Sequence, residues 1–581
     1  MKIFSIKNSN RFSLVLSVIA LFLIIFDIGF KKSYGIAKIF FWFYHLTLAI
    51  GLISIGIRYL IKSYKPKITV RVTDFALGVL LLVILMVDFW SYSRETFVTH
   101  PFIYIAILLL FIRELSDLNL IFKKEYLNPA QLFIASFLVL ILVGTGMLML
   151  PRATYGGISF IDALFTATSA VCVTGLIVVD TATFFTGFGQ SVIMVLIQIG
   201  GLGIMTFTAY FSYFFKGGSS YHNHLMLKDM INAEKLGDVF SMVKKIILLT
   251  FGIELVGAVI IFFTLKQNYF SSLGDQLYFS VFHSISSFCN AGFSTLSNGL
   301  FEEGFRFNYS LQIIIMILFI IGGIGFPVLL NTLNYLKYQI LNKLVPFTNR
   351  KAIKYRPWIV NINTKIILVT TAVLLVGGTV LYYTFEYNNT LASHSEFGKW
   401  VTAAFGAATP RTAGFNTVDM SLLNFHTLMI MIFLMWIGAS PGSTGGGIKT
   451  STFAVATLNF FSLARGKERV EVYKREISQV SIRKAFSVIA LSLIVTGIAI
   501  FLLVGLEPDK GILALTFEVF SAYSTVGLST GITDDMSYFG KIVLIFTMFI
   551  GRVSMFTILV AFLKSVKSKS YQYPKESILI N

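Results

Sequence analysis

Residues Leu515–Thr530 read LTFEVFSAYSTVGLST, a semi-apolar segment too short to cross a membrane that ends in a motif of small residues. Segments of the same kind occur three more times. They are Phe160–Val179 (FIDALFTATSAVCVTGLIVV), Leu277–Thr295 (LYFSVFHSISSFCNAGFST) and Trp400–Thr417 (WVTAAFGAATPRTAGFNT). Because longer apolar runs flank each segment, the pattern predicts short helices that enter a membrane without crossing it, each followed by a loop.

The four segments align on one glycine each, at intervals of roughly 120 residues. The aligned glycines are Gly175, Gly292, Gly414 and Gly527. A second landmark, an isoleucine-glycine pair inside the next apolar run, follows each glycine; the pairs begin at Ile199, Ile321, Ile437 and Ile550. Agreement at both landmarks indicates a fourfold internal repeat whose unit is two spans around one re-entrant segment.

The composition is that of a membrane protein with many spans. Of 581 residues, 56% are hydrophobic and 13% are charged, against roughly 45–50% and 25% in soluble domains. The first apolar run, Ser13–Phe30, is long and poorly followed by a cleavage site, so we interpret it as a span and not as a removed signal peptide. The formal net charge of +19 is attributed to cytoplasmic loops and not to nucleic-acid binding.

The sequence contains no motif for catalysis. Its two cysteines, Cys172 and Cys289, are too few for a disulfide framework and match no CxxC metal site. The zinc-protease pattern HExxH is missing. We therefore expect no enzymatic activity, no catalytic residues and no covalently bound cofactor.

Twelve apolar runs have about the length that crosses the hydrocarbon core as a helix, four before the repeats and eight within them. They are residues 13–30, 37–61, 73–91, 100–113, 130–150, 189–215, 243–265, 308–336, 365–385, 427–462, 485–506 and 538–563. The expected fold is an all-α polytopic membrane protein. In it, four repeats of span, pore helix and span surround a pseudo-fourfold central pore, and four extra spans precede them.

These runs divide the chain into six regions. An N-terminal region with about four transmembrane helices is expected at residues 1–125 and a cytoplasmic tail at residues 566–581. The four pore repeats are expected at residues 126–216, 217–337, 338–464 and 465–565. A voltage sensor in the N-terminal region would need arginine at every third position of its fourth span. Tyr104–Phe111 carries no charge, so packing or assembly is the expected role of this region.

Charge differs between alternate connectors of the last eight spans. The basic connectors are Lys216–Lys245, Lys337–Lys365, Arg465–Lys484 and the C-terminal tail. The positive-inside rule places them in the cytoplasm together with the basic stretch Arg58–Arg71. With four N-terminal spans, both termini are then cytoplasmic, and only Lys31 and Lys32 fall on the wrong side.

Four glycine-containing loops around one axis would suit a cation pore. Non-helical backbone at membrane depth is tolerated where protein buries it or water bathes it, and rings of loop carbonyls can replace the water shell of an ion. Glycine allows the backbone angles that point successive carbonyls the same way. The run Thr525-Val526-Gly527-Leu528 differs from the Thr-Val-Gly-Tyr of potassium filters only at its last residue.

We therefore expect a cation to bind at the backbone of an ion selectivity filter. The filter residues are Val173, Thr174, Gly175, Asn290, Ala291, Gly292, Thr412, Ala413, Gly414, Thr525, Val526 and Gly527.

The sixth core span is interrupted by Pro441–Thr450, which reads PGSTGGGIKT. Pro and Gly cost about 3 and 1 kcal/mol in a helix interior, so one continuous helix is excluded. The run misses the phosphate-binding pattern GxxxxGK[ST] by one residue and does not follow a strand. A kink filled by packing is one interpretation; we prefer a mobile intramembrane gate loop beneath the filter. The gate loop comprises Gly442, Ser443, Thr444, Gly445, Gly446 and Gly447.

Arg552 stands at the repeat position that Gly201, Gly323 and Ala439 occupy in the other copies. A guanidinium in the middle of a span faces a cavity or a partner, because lipid cannot solvate its charge. We expect it to face the axis of the loops, where it sets a barrier to cations or holds the gate loop through that loop's free carbonyls. The alternative, snorkelling to an interface, is disfavoured by apolar residues on both sides.

Other polar residues near the loops are expected to have structural roles. Asp162 and Glu518 would cap or anchor their pore helices, and His283 would be a hydrogen-bonded packing residue. Arg411, three residues before Gly414, would anchor its loop or hinder divalent ions. The two cysteines occupy the equivalent position in their loops, which indicates a packing site behind the filter.

From about residue 130 to 565 the sequence resembles the Trk/Ktr/HKT superfamily of potassium transporters, specifically its TrkH/KtrB-like membrane subunit. The resemblance rests on several motifs in the family's order. They are Thr168–Asp180 (TSAVCVTGLIVVD), Cys289–Ser294 (CNAGFS), Thr409–Asn416 (TPRTAGFN), Pro441–Thr450, Ser524–Thr530 (STVGLST) and Ile550–Arg552. In plant relatives a serine at the first filter glycine accompanies sodium preference. All four positions are glycine in this sequence, so the resemblance implies that potassium binds at the filter backbone.

The resemblance also implies two partners. One is a cytosolic nucleotide-binding regulatory subunit of the TrkA/KtrA type, and the other is a second copy of the chain in a homodimer. The basic loops either dock the regulatory subunit or serve only to orient the chain in the membrane. The favoured hypothesis is potassium uptake across the cell membrane through a channel-like pore in contact with lipid, with sodium coupling left open. The alternative is the ion-translocating subunit of an ATP-driven potassium pump. Its ATPase would be a separate polypeptide, because the chain has no phosphorylation loop.

Overall fold

The computed structural model describes residues 6–30, 33–60, 68–91, 101–117, 129–216, 239–265, 269–344 and 360–562. These residues form nineteen α-helices, so the expected all-α class is confirmed. In the same ranges, β structure is limited to a hairpin of Glu471–Val472 with Arg475–Glu476 and two isolated bridges. The C-terminal tail and parts of the basic connectors Lys216–Lys245 and Lys337–Lys365 lie outside the described residues.

The first four helices pack around an apolar interior of their own. They are α1 (Ile6–Gly29), α2 (Tyr34–Leu60), α3 (Ile68–Ser91) and α4 (Pro101–Asp117). Arg58, which the sequence assigns to a cytoplasmic stretch, is a buried residue in the last turn of α2 and pairs with Glu114. Arg113 pairs with Asp74. The partner of Arg58 lies on another helix, 56 residues away, and the cytoplasmic assignment of the stretch stays a prediction.

Fifteen further helices follow. They are α5 (Pro129–Leu148), α6 (Phe160–Val171), α7 (Gly187–Lys216), α8 (Val239–Thr264), α9 (Leu273–Phe288), α10 (Tyr309–Ile324), α11 (Phe326–Leu344), α12 (Ile362–Glu386), α13 (Glu396–Ala408), α14 (Phe425–Trp436), α15 (Thr450–Ala464), α16 (Gln479–Leu506), α17 (Ile512–Ser524), α18 (Tyr538–Val553) and α19 (Met555–Phe562). Helices α6, α9, α13 and α17 coincide with the four repeated segments, and we call them the four short helices.

The four short helices begin at defined caps. The hydroxyls of Ser159, Ser272 and Ser395 each accept one free backbone N–H group in the first turn of α6, α9 and α13, from Asp162, Asp275 and Gly398, which stabilises a helix start by about 1 kcal/mol. Helix α17 begins instead after Gly511, whose φ is 72°. The four short helices pack between longer ones; α6, for example, contacts α5, α7 and α18.

Three predicted spans are broken, not one. The span 427–462 is interrupted between α14 and α15 as expected. The expectation of continuous helix over 308–336 and 538–563 was wrong, because Gly325 (φ 92°) separates α10 from α11 and Ser554 (φ 73°) separates α18 from α19. The helices on the two sides of Gly325 differ in direction by 105°. The N–H of Phe326 donates to Gly442 O at 2.9 Å, so the break makes room for the gate loop.

Five described helices are long and apolar enough to cross a membrane, and the bent pair around Gly325 makes six. The five stretches are Phe12–Gly29, Tyr34–Tyr59, Val243–Thr264, Ile362–Glu386 and Gln479–Leu506. Six apolar helices are shorter, among them α14, α15 and two of the four short helices. The count of twelve spans stays a prediction.

Candidate functional site

The loops after the four short helices touch one another in a closed cycle. We call Val173–Gly175, Asn290–Gly292, Thr412–Gly414 and Thr525–Gly527 the four glycine loops. A β-carbon built on each glycine would come closer than 3.0 Å to a backbone oxygen of the next loop. The contacts are Gly175 with Ala291, Gly292 with Ala413, Gly414 with Val526 and Gly527 with Thr174. No side chain fits in these places, so space as well as backbone angle requires glycine.

Each glycine loop has two residues with left-handed backbone. The glycines have φ of 92°, 71°, 77° and 93° in chain order. The residues two positions earlier are Val173, Asn290, Thr412 and Thr525, with φ of 58°, 61°, 74° and 51°. The sequence pattern points only to the glycines for such angles. A residue with a β-carbon is destabilised by roughly 1–2 kcal/mol in this conformation, so surrounding contacts must stabilise the other four.

Hydrogen bonds tie the N–H groups of each loop to the short helix before it. The N–H groups of Thr174, Ala291, Ala413 and Val526 donate to Ser169 O, Ser286 O, Thr409 O and Ser521 O over 2.7, 2.7, 2.9 and 2.8 Å. The hydroxyls of Ser169 and Ser521 also accept from the N–H of Gly175 and Gly527. Among the described residues, no donor reaches a carbonyl oxygen of the four glycine loops. These oxygens are therefore available to a cation.

Two side chains on the short helices, Glu518 and His283, bond to residues that follow the fourth and second glycine loops. Glu518, on α17, accepts from the Ser529 hydroxyl at 2.6 Å, the Thr530 N–H at 3.0 Å and the Thr533 hydroxyl at 2.8 Å. His283 Nε2 lies 2.9 Å from the Ser294 hydroxyl. These contacts match the structural roles expected for Glu518 and His283.

A cavity of about 510 Å³ opens beside the four glycines, on the side away from the gate loop. All four glycines line it, together with Asp180 and Asp419. The Asp180 carboxylate accepts from the hydroxyls of Thr183 and Ser297 at 2.6 and 2.7 Å, which fixes its position at the cavity wall. Two carboxylates at the entrance of a narrow site raise the local concentration of cations.

The gate loop lies against the opposite side of the glycine loops. The Thr444 hydroxyl donates to Asn290 Oδ1 at 3.1 Å, and Asn290 Nδ2 donates to the Thr412 hydroxyl at 3.1 Å. The N–H of Gly446 donates to the Thr525 hydroxyl at 2.9 Å. Asn290 and Thr525 thus bond to the gate loop, and Thr412 bonds to Asn290. Side-chain contacts therefore help to hold three of the four left-handed residues that precede the glycines.

Two buried arginines contact the α14–α15 connection. Arg552 donates to Thr444 O through Nη1 and to Gly200 O through Nη2, the latter at 2.6 Å. Arg411 Nη2 donates to the Thr450 hydroxyl at 3.0 Å and lies 3.5 Å from Gly438 O. Neither arginine belongs to an ion pair in the described part of the chain. One guanidinium therefore contacts the middle of the connection and the other its two ends.

Two features escape the sequence patterns. The contact of Asn290 with Thr444 joins residues 154 positions apart, and nothing in either motif announces it. Glu254 is a buried carboxyl of α8 that contacts Cys289, the residue before Asn290. The sequence does contain a pattern that indicates Glu254, because an acidic residue in the middle of an apolar run is typical of a functional position.

Comparisons with known proteins agree with these features. A family profile described as "TrkH: Cation transport protein" matches residues 100–573. The chain is 36% identical over 465 residues to the potassium/sodium uptake protein NtpJ of Enterococcus hirae, covering 79% of this chain and 98% of that protein. It is 36% identical over 456 residues to the Ktr system potassium uptake protein B of Bacillus subtilis, covering 78% and 97%.

A crystal structure of the potassium transporter TrkH from Vibrio parahaemolyticus has a similar fold. The TM-score is 0.59 at 16% sequence identity, and the match covers 89% of this chain and 97% of that chain. At this identity the similarity concerns the fold alone.

Proposed function

The chain belongs to the TrkH family of cation transport proteins, and from this premise we propose that it takes up potassium across the cell membrane through a channel-like pore. A member of this family is a multi-pass membrane protein and not an enzyme. Potassium as the transported ion is supported by the names of the two relatives, one of which also includes sodium.

The free carbonyl oxygens of the four glycine loops carry this proposal. The loops form a closed cycle, their N–H groups bind their own short helices, and no described donor reaches their carbonyl oxygens. A cation that enters the cycle can exchange its water shell for these oxygens. We assign the selectivity filter to the twelve residues of the four glycine loops, in a pseudo-fourfold arrangement of the four repeats.

The membrane potential supplies the driving force in this proposal. Each unit charge gains about 2.3 kcal/mol per 100 mV, enough to concentrate potassium roughly fiftyfold without ATP. The cavity with Asp180 and Asp419 is the outer entrance, where the two carboxylates attract cations before they lose water.

The gate loop closes the inner end of the filter in this proposal. Its contacts with Asn290 and Thr525 support a closed position directly beneath the glycine loops. Arg552 adds a hydrogen bond to Thr444 O and places a positive charge next to the path. Opening then requires that Thr444 separate from both Asn290 and Arg552.

For topology and partners, we propose that both termini are cytoplasmic, with the repeat boundaries given above. The hairpin between α15 and α16 carries exposed Arg469, Lys474 and Arg475 beside exposed Glu471 and Glu476, and Arg469 pairs with Glu476. We propose this hairpin as a docking point for a cytosolic nucleotide-binding regulatory subunit. Its positive charge would match an acidic partner surface. A homodimer and a possible coupling to sodium belong to the same proposal.

Uptake by the purified full-length protein in liposomes tests the function. With an inside-negative diffusion potential, we expect potassium and rubidium to enter in preference to sodium. Liposomes without protein are the control for leak. Entry at the rate of the protein-free control would overturn the proposal, and entry of sodium and potassium at equal rates would overturn the filter assignment.

A further inference from the structure

Glu254 places a carboxyl group in the apolar interior of the molecule. It lies in the middle of α8, and 4% of its surface is exposed. Gln198 Nε2, on α7, donates to both carboxyl oxygens at 3.1 Å, and the Cys289 thiol donates at 3.6 Å. None of the ion pairs among the described residues includes Glu254. Its contacts are therefore an amide and a thiol.

The elements packed against α8 supply no counter-charge in the part of the chain that is described. These elements are α7, α9 and α10. On α9, His283 bonds to Phe279 O and the Ser294 hydroxyl, and α10 carries no Asp, Glu, Lys, Arg or His. On α8 itself, Lys245 is nine residues earlier, roughly 13 Å along the helix. Arg552 bonds to α7 at Gly200 O and is not among the hydrogen-bond partners of the Glu254 carboxyl group.

An ionised carboxylate in these surroundings is strongly disfavoured, because neither water nor a positive side chain compensates its charge. The amide partner points to the same conclusion. Gln198 Oε1 is buried and accepts no hydrogen bond from the described residues. A protonated Glu254 provides the missing donor. In the structure Nε2 faces both carboxyl oxygens. A rotation of the amide brings Oε1 to the protonated carboxyl group, whose O–H then donates to Oε1 while Nε2 donates to the other oxygen.

We propose that Glu254 is a proton-binding site within the membrane and that its bound proton favours the closed gate loop. With the proton bound, Glu254 is neutral and Arg552 is shared between Gly200 O and Thr444 O. When the proton leaves to water, a negative charge arises beside Gln198, two residues before Gly200. This charge draws Arg552 toward α7 and away from Thr444 O, so the gate loop loses a hydrogen bond. This step rests on the proposed role of the gate loop, and it predicts that flux rises with pH.

Infrared difference spectroscopy on the full-length protein tests proton binding without any transport. We expect the difference spectrum between about pH 6 and pH 8 to contain a C=O stretching band of a neutral carboxyl group. This band should be absent in E254Q. The control E303Q removes an exposed carboxyl group and should keep the band. Q198L, which deletes the amide partner, should keep the band but move it to higher frequency. A neutral-carboxyl region identical in wild type and E254Q would overturn the proposal.

Potassium uptake into liposomes as a function of pH tests the second step. We expect the rate of the wild type to rise with pH and the rate of E254Q to stay at the low-pH value throughout. E303Q should follow the wild type. A wild-type pH profile in E254Q would overturn the link to the gate. If the wild type carries no potassium at any pH, the proposed function is wrong together with this link, while the infrared result still decides the proton site.

Discussion

The four glycine loops and the gate loop are both non-helical backbone at the centre of the molecule, but they are held in different ways. The glycine loops bond through their own N–H groups to the short helices directly before them, and their glycines touch the backbone of the next loop. The gate loop has two backbone hydrogen bonds to distant segments, from Phe326 N–H and to Gly322 O. Its other bonds to distant segments involve side chains, those of Asn290, Thr525 and Arg552.

This difference separates a fixed part from a releasable part. Backbone hydrogen bonds within a loop do not depend on which side chain the loop carries, so the glycine loops keep their spacing unless the backbone itself is disturbed. Side-chain contacts can break one at a time, each at the modest free-energy cost of a hydrogen bond. We therefore expect substitutions in the glycine loops to change which ion passes, and substitutions around the gate loop to change how much passes.

The largest expected effect comes from Gly175→Ser. The β-carbon of the serine would overlap Ala291 O, and the serine backbone would have to adopt a φ of 92°. The ring of carbonyl oxygens must therefore shift. We expect the preference for potassium over sodium to fall roughly tenfold or more, equivalent to about 1.4 kcal/mol, in paired uptake measurements.

Gly157→Ser is the matched control for this change. Gly157 also has positive φ, at 82°, but a β-carbon there meets nothing within 4 Å. It should bear the same backbone strain and keep the wild-type ion preference. Equal loss of preference in both variants would mean that strain, and not the ring of contacts, controls selectivity.

Arg552→Gln tests the releasable part. The variant loses the charge-assisted hydrogen bond to Thr444 O, an interaction on the order of 1.5–3 kcal/mol, so the closed gate loop is destabilised. We expect the potassium rate in liposomes to rise roughly tenfold with unchanged ion preference. Arg483→Gln, an exposed arginine of α16, should leave the rate unchanged. A lower rate in a folded Arg552→Gln protein would contradict the assignment of a closing role.

Thr444→Val should have a smaller effect in the same direction. It keeps the shape of the side chain but removes the donor to Asn290 Oδ1, a contact of about 1 kcal/mol. We expect a rise of a few-fold in rate. Ser443→Ala removes a neighbouring hydroxyl that donates within the same connection, to Ser440 O. If the two variants had equal rates, the contact between the gate loop and Asn290 would carry no gating energy.

The smallest effect is expected outside both regions, at His394 in the connector between α12 and α13. Burial, and secondarily the positive charge of Arg306, lower the pKa of His394 to about 4. The folded protein then binds fewer protons than the unfolded chain between about pH 4 and 6.5. Stability should fall as the pH decreases through this interval.

Thermal unfolding measured at several pH values checks the expectation for His394. His394→Gln should weaken the acid-side decrease in melting temperature, and His426→Gln, which replaces an exposed histidine, should not. The potassium rate at neutral pH should be the same in both. A change in rate in His394→Gln would show that the connector influences the gate after all.

Sequence patterns predicted the parts of the site that are local. The four glycines and the interruption at Pro441–Thr450 are recognisable because backbone angle and helix propensity act within a few residues. Arg552 stood out because its three repeat counterparts are small and neutral.

The remaining parts depend on contacts between distant segments. The break at Gly325 reflects the approach of Pro441 and Gly442, and the left-handed backbone of Asn290 reflects its bonds to Thr412 and Thr444. The burial of Arg58 depends on Glu114 of α4. In each case the partner lies more than fifty residues away, beyond any periodicity in the sequence.

The closed cycle of loops has a consequence for how such a protein can vary. In an assembly of four identical chains, every substitution appears four times and its free-energy cost is multiplied accordingly. In this chain each quarter of the cycle is encoded separately, so a mutation alters one quarter and leaves three intact. Asymmetry is thereby tolerated: one loop can carry an asparagine that contacts the gate loop where its counterparts carry valine or threonine. Selection can therefore change one glycine loop of the cycle while the other three glycine loops stay the same.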